Sequence, residues 1–227
     1  MTTYTMHIDY DTDPVNPRKE YDHLGTMVCW HQRYDLGDNH MSGNVGDYLS
    51  NVLTRYGLDY ADYDTPFRPV TSGMKQMLHS DSGSYTYADF DADLCNDLPE
   101  AMDEAWARIH DSNAIIMLPL YLYDHGGITM RTTSFRDPWD SGCVGFIYVD
   151  VDAVKQEWKW DRLTQQRREH IESILQAEVE EYDAYLTGEI YCWYITDDEG
   201  EVVDSCGGYY GYDYCEQEAQ TTLATYA

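Results

Sequence analysis

The sequence predicts an α+β fold, mainly an antiparallel sheet with about three helices, in a single domain over residues 1–227. Three observations carry that expectation. Short β-rich segments recur and end in a hairpin signature, longer stretches repeat apolar residues at helical spacing, and no internal repeat or linker divides the chain.

Tyr4-Thr-Met-His-Ile8 alternates as a strand does, and Gly25-Thr-Met-Val-Cys-Trp30 reads as a second strand after a loop holding Pro14 and Pro17. Val45, Tyr48, Leu49, Val52, Leu53 and Tyr56 then keep helical spacing, with Asn44 placed to cap the start and Gly57 to end the helix. Residues 59–83 carry Pro66, Pro69 and Gly73 and read as loop, with a short helical turn near Met74 to Leu78. Asp97, followed by Pro99, opens a helix whose stripe is Met102, Ala105, Trp106 and Ile109.

Ala114 to Tyr123 is apolar and β-rich. Pro119 cannot donate to a sheet ladder there and demands an edge position or a bulge. Cys143 to Val149 supplies a further strand. A long helix covers Leu163 to Leu186, with Ile171, Ile174, Leu175, Tyr182, Tyr185 and Leu186 on the buried stripe. Glu178 breaks that stripe. After Gly188, the run Ile190 to Thr196, the turn Asp197-Asp-Glu-Gly200 and the run Val202 to Cys206 make the hairpin.

The composition restricts function more than it names it. Forty-two Asp and Glu face 14 Lys and Arg over 227 residues, a net charge of −28. Such a chain is repelled by nucleic acid and by anionic membranes. Hydrophobic content of 43% is too high for disorder, and no run approaches the length of a membrane span. Met1 to Tyr10 lacks the basic start and apolar stretch of a targeting peptide, so the cytoplasm is the expected location. Six cysteines in a chain of this length, without a C-x-x-C pair, read as free thiols. The spacing of Cys206 and Cys215 does not suit a zinc knuckle.

Ordinary solubility of a small domain needs only about 2 to 8 net charges, so the excess asks for a reason. One is imitation of a nucleic acid, since duplex DNA carries about one negative charge per 1.7 Å of axis. Four anionic rows offer themselves as partner-binding residues. Asp9, Asp11 and Asp13 would share one side of an extended segment, as would Asp89, Asp91 and Asp93. Glu169, Glu172, Glu180 and Asp183 share the outer face of the long helix with Gln176, and Asp197, Asp198, Glu199 and Glu201 crowd the hairpin turn. The alternative is a solvated coat of the kind found in salt-adapted organisms, which fits a complement of only four Lys. Distribution separates the two, because a mimic concentrates its carboxylates.

Metal and catalytic patterns are weaker. Counted from the first Asp of each triplet, a Glu falls at position 12, Glu20 and Glu100, as in a calcium loop, but Pro14 and Leu94 stand at position 6, where that loop needs Gly. His23, His31 and His40, and the pair Asp124-His125, are candidates for zinc or a hydrolytic dication. No H-E-x-x-H helix, Walker loop, nucleophile elbow or dinucleotide fingerprint is present, and no cofactor is implied. Asp137-Pro-Trp-Asp-Ser-Gly142 reads as a tight turn with an Asp acceptor and a buried aromatic. Tyr209-Tyr-Gly-Tyr-Asp-Tyr214 has no cation with which to stack on nucleic acid, leaving hairpin packing or protein contact.

Three stretches together carry a resemblance. They are Tyr21-Asp-His-Leu-Gly-Thr-Met-Val-Cys-Trp-His31 through Asp38, Leu120-Tyr-Leu-Tyr-Asp-His-Gly-Gly-Ile128 through Asp137-Pro-Trp-Asp-Ser-Gly142 to Val149, and Tyr182 to Cys215. Over about half of the chain the sequence resembles a family of uncharacterised acidic proteins carried by bacteriophages, prophages and plasmids. The likeness assigns no residue a role. It implies a mobile-element origin and a bacterial host, where small acidic proteins resemble inhibitors of host defence of the anti-CRISPR and anti-restriction kinds. The expected function is therefore a non-enzymatic inhibitor that blocks the basic nucleic-acid channel of a defence nuclease or CRISPR effector complex. Two alternatives stay open: a metal-dependent enzyme or metal-binding protein built on the His and Asp turns, and a structural or accessory phage protein.

Overall fold

The computed structural model describes residues 2–31, 33–40, 48, 51, 52, 55, 56, 113–137 and 139–226. In chain order the elements begin with strand β1 (Thr5–Tyr10), helix α1 (Pro17–Glu20) and strands β2 (Thr26–Cys29) and β3 (Asn39–His40). Strands β4 (Ile115–Asp124), β5 (Ile128–Arg131) and β6 (Ser141–Asp150) follow, then helices α2 (Val151–Glu157) and α3 (Gln165–Thr187). Strands β7 (Ile190–Thr196) and β8 (Val202–Tyr210), helix α4 (Tyr212–Leu223) and a 3-10 turn (Ala224–Tyr226) complete the chain. The fold is α+β with mainly antiparallel sheets, and the two-residue β2–β3 pairing is parallel. No helix among the described residues is long and apolar enough to cross a membrane.

The chain divides into two compact units, one of residues 23–179 and one joining residues 1–22 to 180–227. In the first, the sheet order is β3-β2-β6-β4-β5. Strands β4 and β6 are buried almost end to end, which explains their apolar, non-alternating sequences. Ile147, Ile171 and Leu175 are fully buried. A Cβ on Gly25 would stand 2.5 Å from Leu175 Cδ2 and 2.7 Å from Ile147 Cδ1, so helix and sheet meet where only glycine leaves room. Among the described residues β5 pairs only with Tyr121–Asp124, which leaves Pro119 on a stretch with one described neighbour, beside a bulge at Leu120/Tyr121. Both positions open to a strand proline therefore coincide there.

In the second unit, β7 lies between β1 and β8, all antiparallel. Helix α4 covers one face of this sheet, setting Cys215 and Ala219 against Trp193 and Ile195, with Met6, Ile8 and Leu223 around them. The hairpin turn is held by the Asp197 carboxylate, which accepts from the amides of Glu199 and Glu201, both at 2.9 Å. Gly200 takes a φ of 84°, as the turn requires.

The strands read from sequence at 4–8, 25–30, 114–123, 143–149 and in the hairpin are present, and the long helix runs 165–187. Of the helix expected from Val45, residues Tyr48, Asn51, Val52 and Arg55 are helical. The turn near Met74, the helix after Asp97 and the Asp89, Asp91 and Asp93 triplet lie outside the described residues. Sequence reading missed α4, whose stripe of Cys215, Ala219 and Leu223 follows a Tyr- and Gly-rich segment without a side-chain cap. It also missed α2, although the Asp150 carboxylate caps it by accepting from the Ala153 amide at 2.8 Å.

Candidate functional site

The carboxylates expected to bind a partner are unequally free. Asp9 is exposed at the end of β1 and accepts a hydrogen bond from the Tyr194 hydroxyl, which holds that phenol above its usual range. The extended segment stops at Tyr10. The Asp13 amide turns back to Asp11 Oδ1 at 3.0 Å while Asp11 Oδ2 accepts from the Gly208 amide at 2.8 Å, so the three aspartates do not form one straight row. Asp11 ties the exit of β1 to β8. At the hairpin turn Asp197 is likewise occupied by backbone amides, and Asp198, Glu199 and Glu201 are exposed.

On α3, Glu169 is exposed and accepts from Gln165 Nε2 at 3.0 Å, whereas Glu172 is half-buried with Arg168 Nη1 at 3.9 Å. Glu180 is exposed and Asp183 half-buried. Because Thr5 pairs with Thr196 and Tyr10 with Tyr191, the Asp197–Glu201 turn and the Asp9–Asp13 segment sit at opposite ends of the three-stranded sheet. The six-residue strand between them spans about 17 Å.

Charge is also unequal between the units. The unit of residues 1–22 and 180–227 has 17 Asp and Glu against two Lys and Arg, a net −15 over 70 residues, with no Lys or Arg after position 179. The unit of residues 23–179 has 25 against 12, a net −13 over 157 residues. The acidic unit also carries a tyrosine array. Tyr10, Tyr191 and Tyr209 lie opposite one another across its three strands. The Tyr10 and Tyr191 rings stack at 5.0 Å; from α4, Tyr212 meets Tyr191 edge-on at 5.4 Å and Tyr214 meets Tyr209 at 5.5 Å. The Tyr209 hydroxyl accepts from Trp193 Nε1 at 3.0 Å, and burial pushes its own ionisation up to about 12. The Tyr209–Tyr214 segment thus both packs the hairpin and presents rings to solvent.

The imidazole candidates separate. His23 precedes β2 and His31 follows it, so they stand at opposite ends of one strand, and the backbone of His40 pairs with Cys29 in β3. The end of β2, the end of β4 and the start of β6 do converge at one end of the sheet. There the buried His31 ring stacks on Tyr34 at 4.8 Å, and its Nδ1 accepts from the amides of Arg33 and Tyr34 at 3.1 and 3.2 Å. Asp124 pairs with Arg33 and accepts from the Tyr34 hydroxyl at 3.5 Å. His125 Nδ1 lies 2.9 Å from Asp140 Oδ2. Among the described residues no group of three or more His, Cys, Asp or Glu is arranged to hold a metal ion.

One reading of this end is corrected. Asp137 does accept from the amides of Trp139 and Asp140, at 2.9 and 3.1 Å, and those bonds hold its carboxyl below its usual range. The aromatic of the turn is not buried, because Trp139 is 88% exposed. A turn fixed by its own Asp needs no ring packed beneath it, so the tryptophan projects outward. Sequence reasoning also missed Arg33 and Asp140, which neutralise Asp124 and orient His125. Their signal is tertiary, since 91 residues separate Arg33 from Asp124. Compared with known proteins, the chain matches no family model, no curated protein and no solved structure.

Proposed function

We propose that this protein is a phage or mobile-element encoded inhibitor of a bacterial defence nuclease, of the anti-CRISPR or anti-restriction type. Its acidic unit would occupy the basic channel that otherwise holds DNA or guide RNA. The observation that carries this reading is the unequal distribution of charge: −15 over 70 residues, with no cation after position 179. A coat that serves solubility alone has no reason to be denser on one unit. Among the carboxylates of the acidic unit, Asp9, Asp13, Glu180, Asp198, Glu199 and Glu201 are exposed and can meet Arg and Lys of the channel.

Pull-down from bacterial lysate, followed by nuclease protection over a salt series, tests the reading. The captured partner is expected to be a nucleic-acid-binding nuclease. Its inhibition should be competitive with DNA and weaken steeply between 50 and 500 mM salt, roughly as a polyanion's would. Affinity indifferent to ionic strength, or an inhibitor bound while the nuclease keeps full activity, would overturn it.

A further inference from the structure

The tyrosine array of the acidic unit combines exposure with ring packing. Three of its rings remain open to solvent, Tyr10 at 63%, Tyr212 at 46% and Tyr214 at 58%, although each packs against a neighbouring ring. Ring-on-ring packing fixes these side chains before any partner arrives, so little rotamer freedom is left to lose on binding. The surroundings are anionic. Glu189, whose carbonyl accepts from the Gly211 amide, lies close enough to act on the Tyr191 hydroxyl, and Asp213 stands between Tyr212 and Tyr214, whereas Asp9 and Asp11 lie beside Cys192 on the other face of the sheet.

Rigid, electron-rich ring faces among carboxylates are complementary to a flat cation. A guanidinium stacks on a tyrosine face while its N–H groups bond to carboxylates; an ammonium is a more strongly hydrated point charge and gains less from the ring. We infer that the array formed by Tyr10, Tyr191 and Tyr212 is a docking surface for an arginine-bearing segment of a protein partner, selecting arginine over lysine. This rests on the reading of the acidic unit as a mimic and specifies its contact: carboxylates supply the salt-dependent part and the rings the arginine preference.

Fluorescence anisotropy with labelled nona-arginine and nona-lysine peptides tests it on the full chain. The wild type is expected to bind the arginine peptide about five-fold more tightly, with both affinities falling as salt rises. A Tyr10→Ala/Tyr212→Ala variant should lose the preference and keep the salt dependence. Tyr10→Phe/Tyr212→Phe, which keeps the ring faces, should retain the preference and report on any loss of folding in the alanine variant. Equal wild-type affinity for the two peptides, or a preference unchanged in the alanine variant, would overturn the ring contact and leave the acidic reading standing. Absence of binding to either peptide at low salt would overturn both.

Discussion

The Glu178 carboxylate holds the backbone of Gly25: Oε2 accepts from its amide at 3.1 Å, and Oε1 accepts from the Leu24 amide at 2.7 Å. The residue that interrupts the apolar stripe of α3 is thus a buried acceptor for two amides that precede β2. It is also placed where a Cβ on Gly25 would collide with Leu175, one turn back along the same helix. Helix and strand entry are therefore joined by shape and by hydrogen bonds together.

Replacing Glu178 by Ala leaves the buried Gly25 amide and the half-buried Leu24 amide without this acceptor, and is expected to cost about 2–3 kcal/mol in urea unfolding. Glu178→Gln keeps one oxygen acceptor and brings in a donor facing amides, so an intermediate loss is expected. A midpoint unchanged in both variants would show that the carboxylate does not hold the strand entry.

The thiols should divide by burial. Burial pushes Cys143 up to about 12 and Cys215 up to about 11. Both stay protonated in the folded protein at pH 8, so mass mapping after iodoacetamide should find Cys206, which is exposed, modified ahead of Cys143 and Cys215. Linkage runs in the same direction. The unfolded thiols ionise near 9 and the folded ones two to three units higher, so their contribution to stability is complete below 9 and is lost as pH rises through 11 to 12. Urea midpoints should fall from pH 9 upward, and less steeply in a Cys143→Ala/Cys215→Ala variant.

Trp139 projects into solvent from a turn closed by Asp137. Trp139→Phe is expected to change stability by less than about 0.5 kcal/mol, and to remove a readily acrylamide-quenchable part of the tryptophan emission. A quenching curve unchanged by the substitution would mean the ring is covered in solution.

With a net charge of −28, unfolding relieves self-repulsion. Raising sodium chloride from 20 to 500 mM should therefore raise the melting temperature by several degrees, most steeply below about 150 mM, where the screening length is still changing strongly. A flat response would mean that the carboxylates are neutralised locally by paired cations, as Asp124 is by Arg33.

Which features could be read from sequence follows from the range of the interactions that make them. The hairpin at 190–206 was legible because its turn residues and alternation lie within one short window, and α3 because its 23 residues repeat one stripe over about six turns. Helix α4 was missed because Gly211, with a φ of 101°, opens it without a side-chain cap, and the preceding tyrosines hide the start of its stripe. At the candidate surfaces, residue types were legible and their employment was not. Asp11 and Asp197 look as free in sequence as Asp9 and Asp198, yet the first two accept backbone amides.

Composition and periodicity by themselves determined the polyanionic character, the α+β class and the places of the strands and the long helix, because charge adds along a chain and amphipathic period is local. Only the tertiary structure decided that the densest charge belongs to a unit assembled from both ends of the chain, and that Tyr191 meets both Tyr10 and Tyr212 there. Strand β1 reaches β7 across more than 180 residues, and no local pattern specifies a pairing of that range.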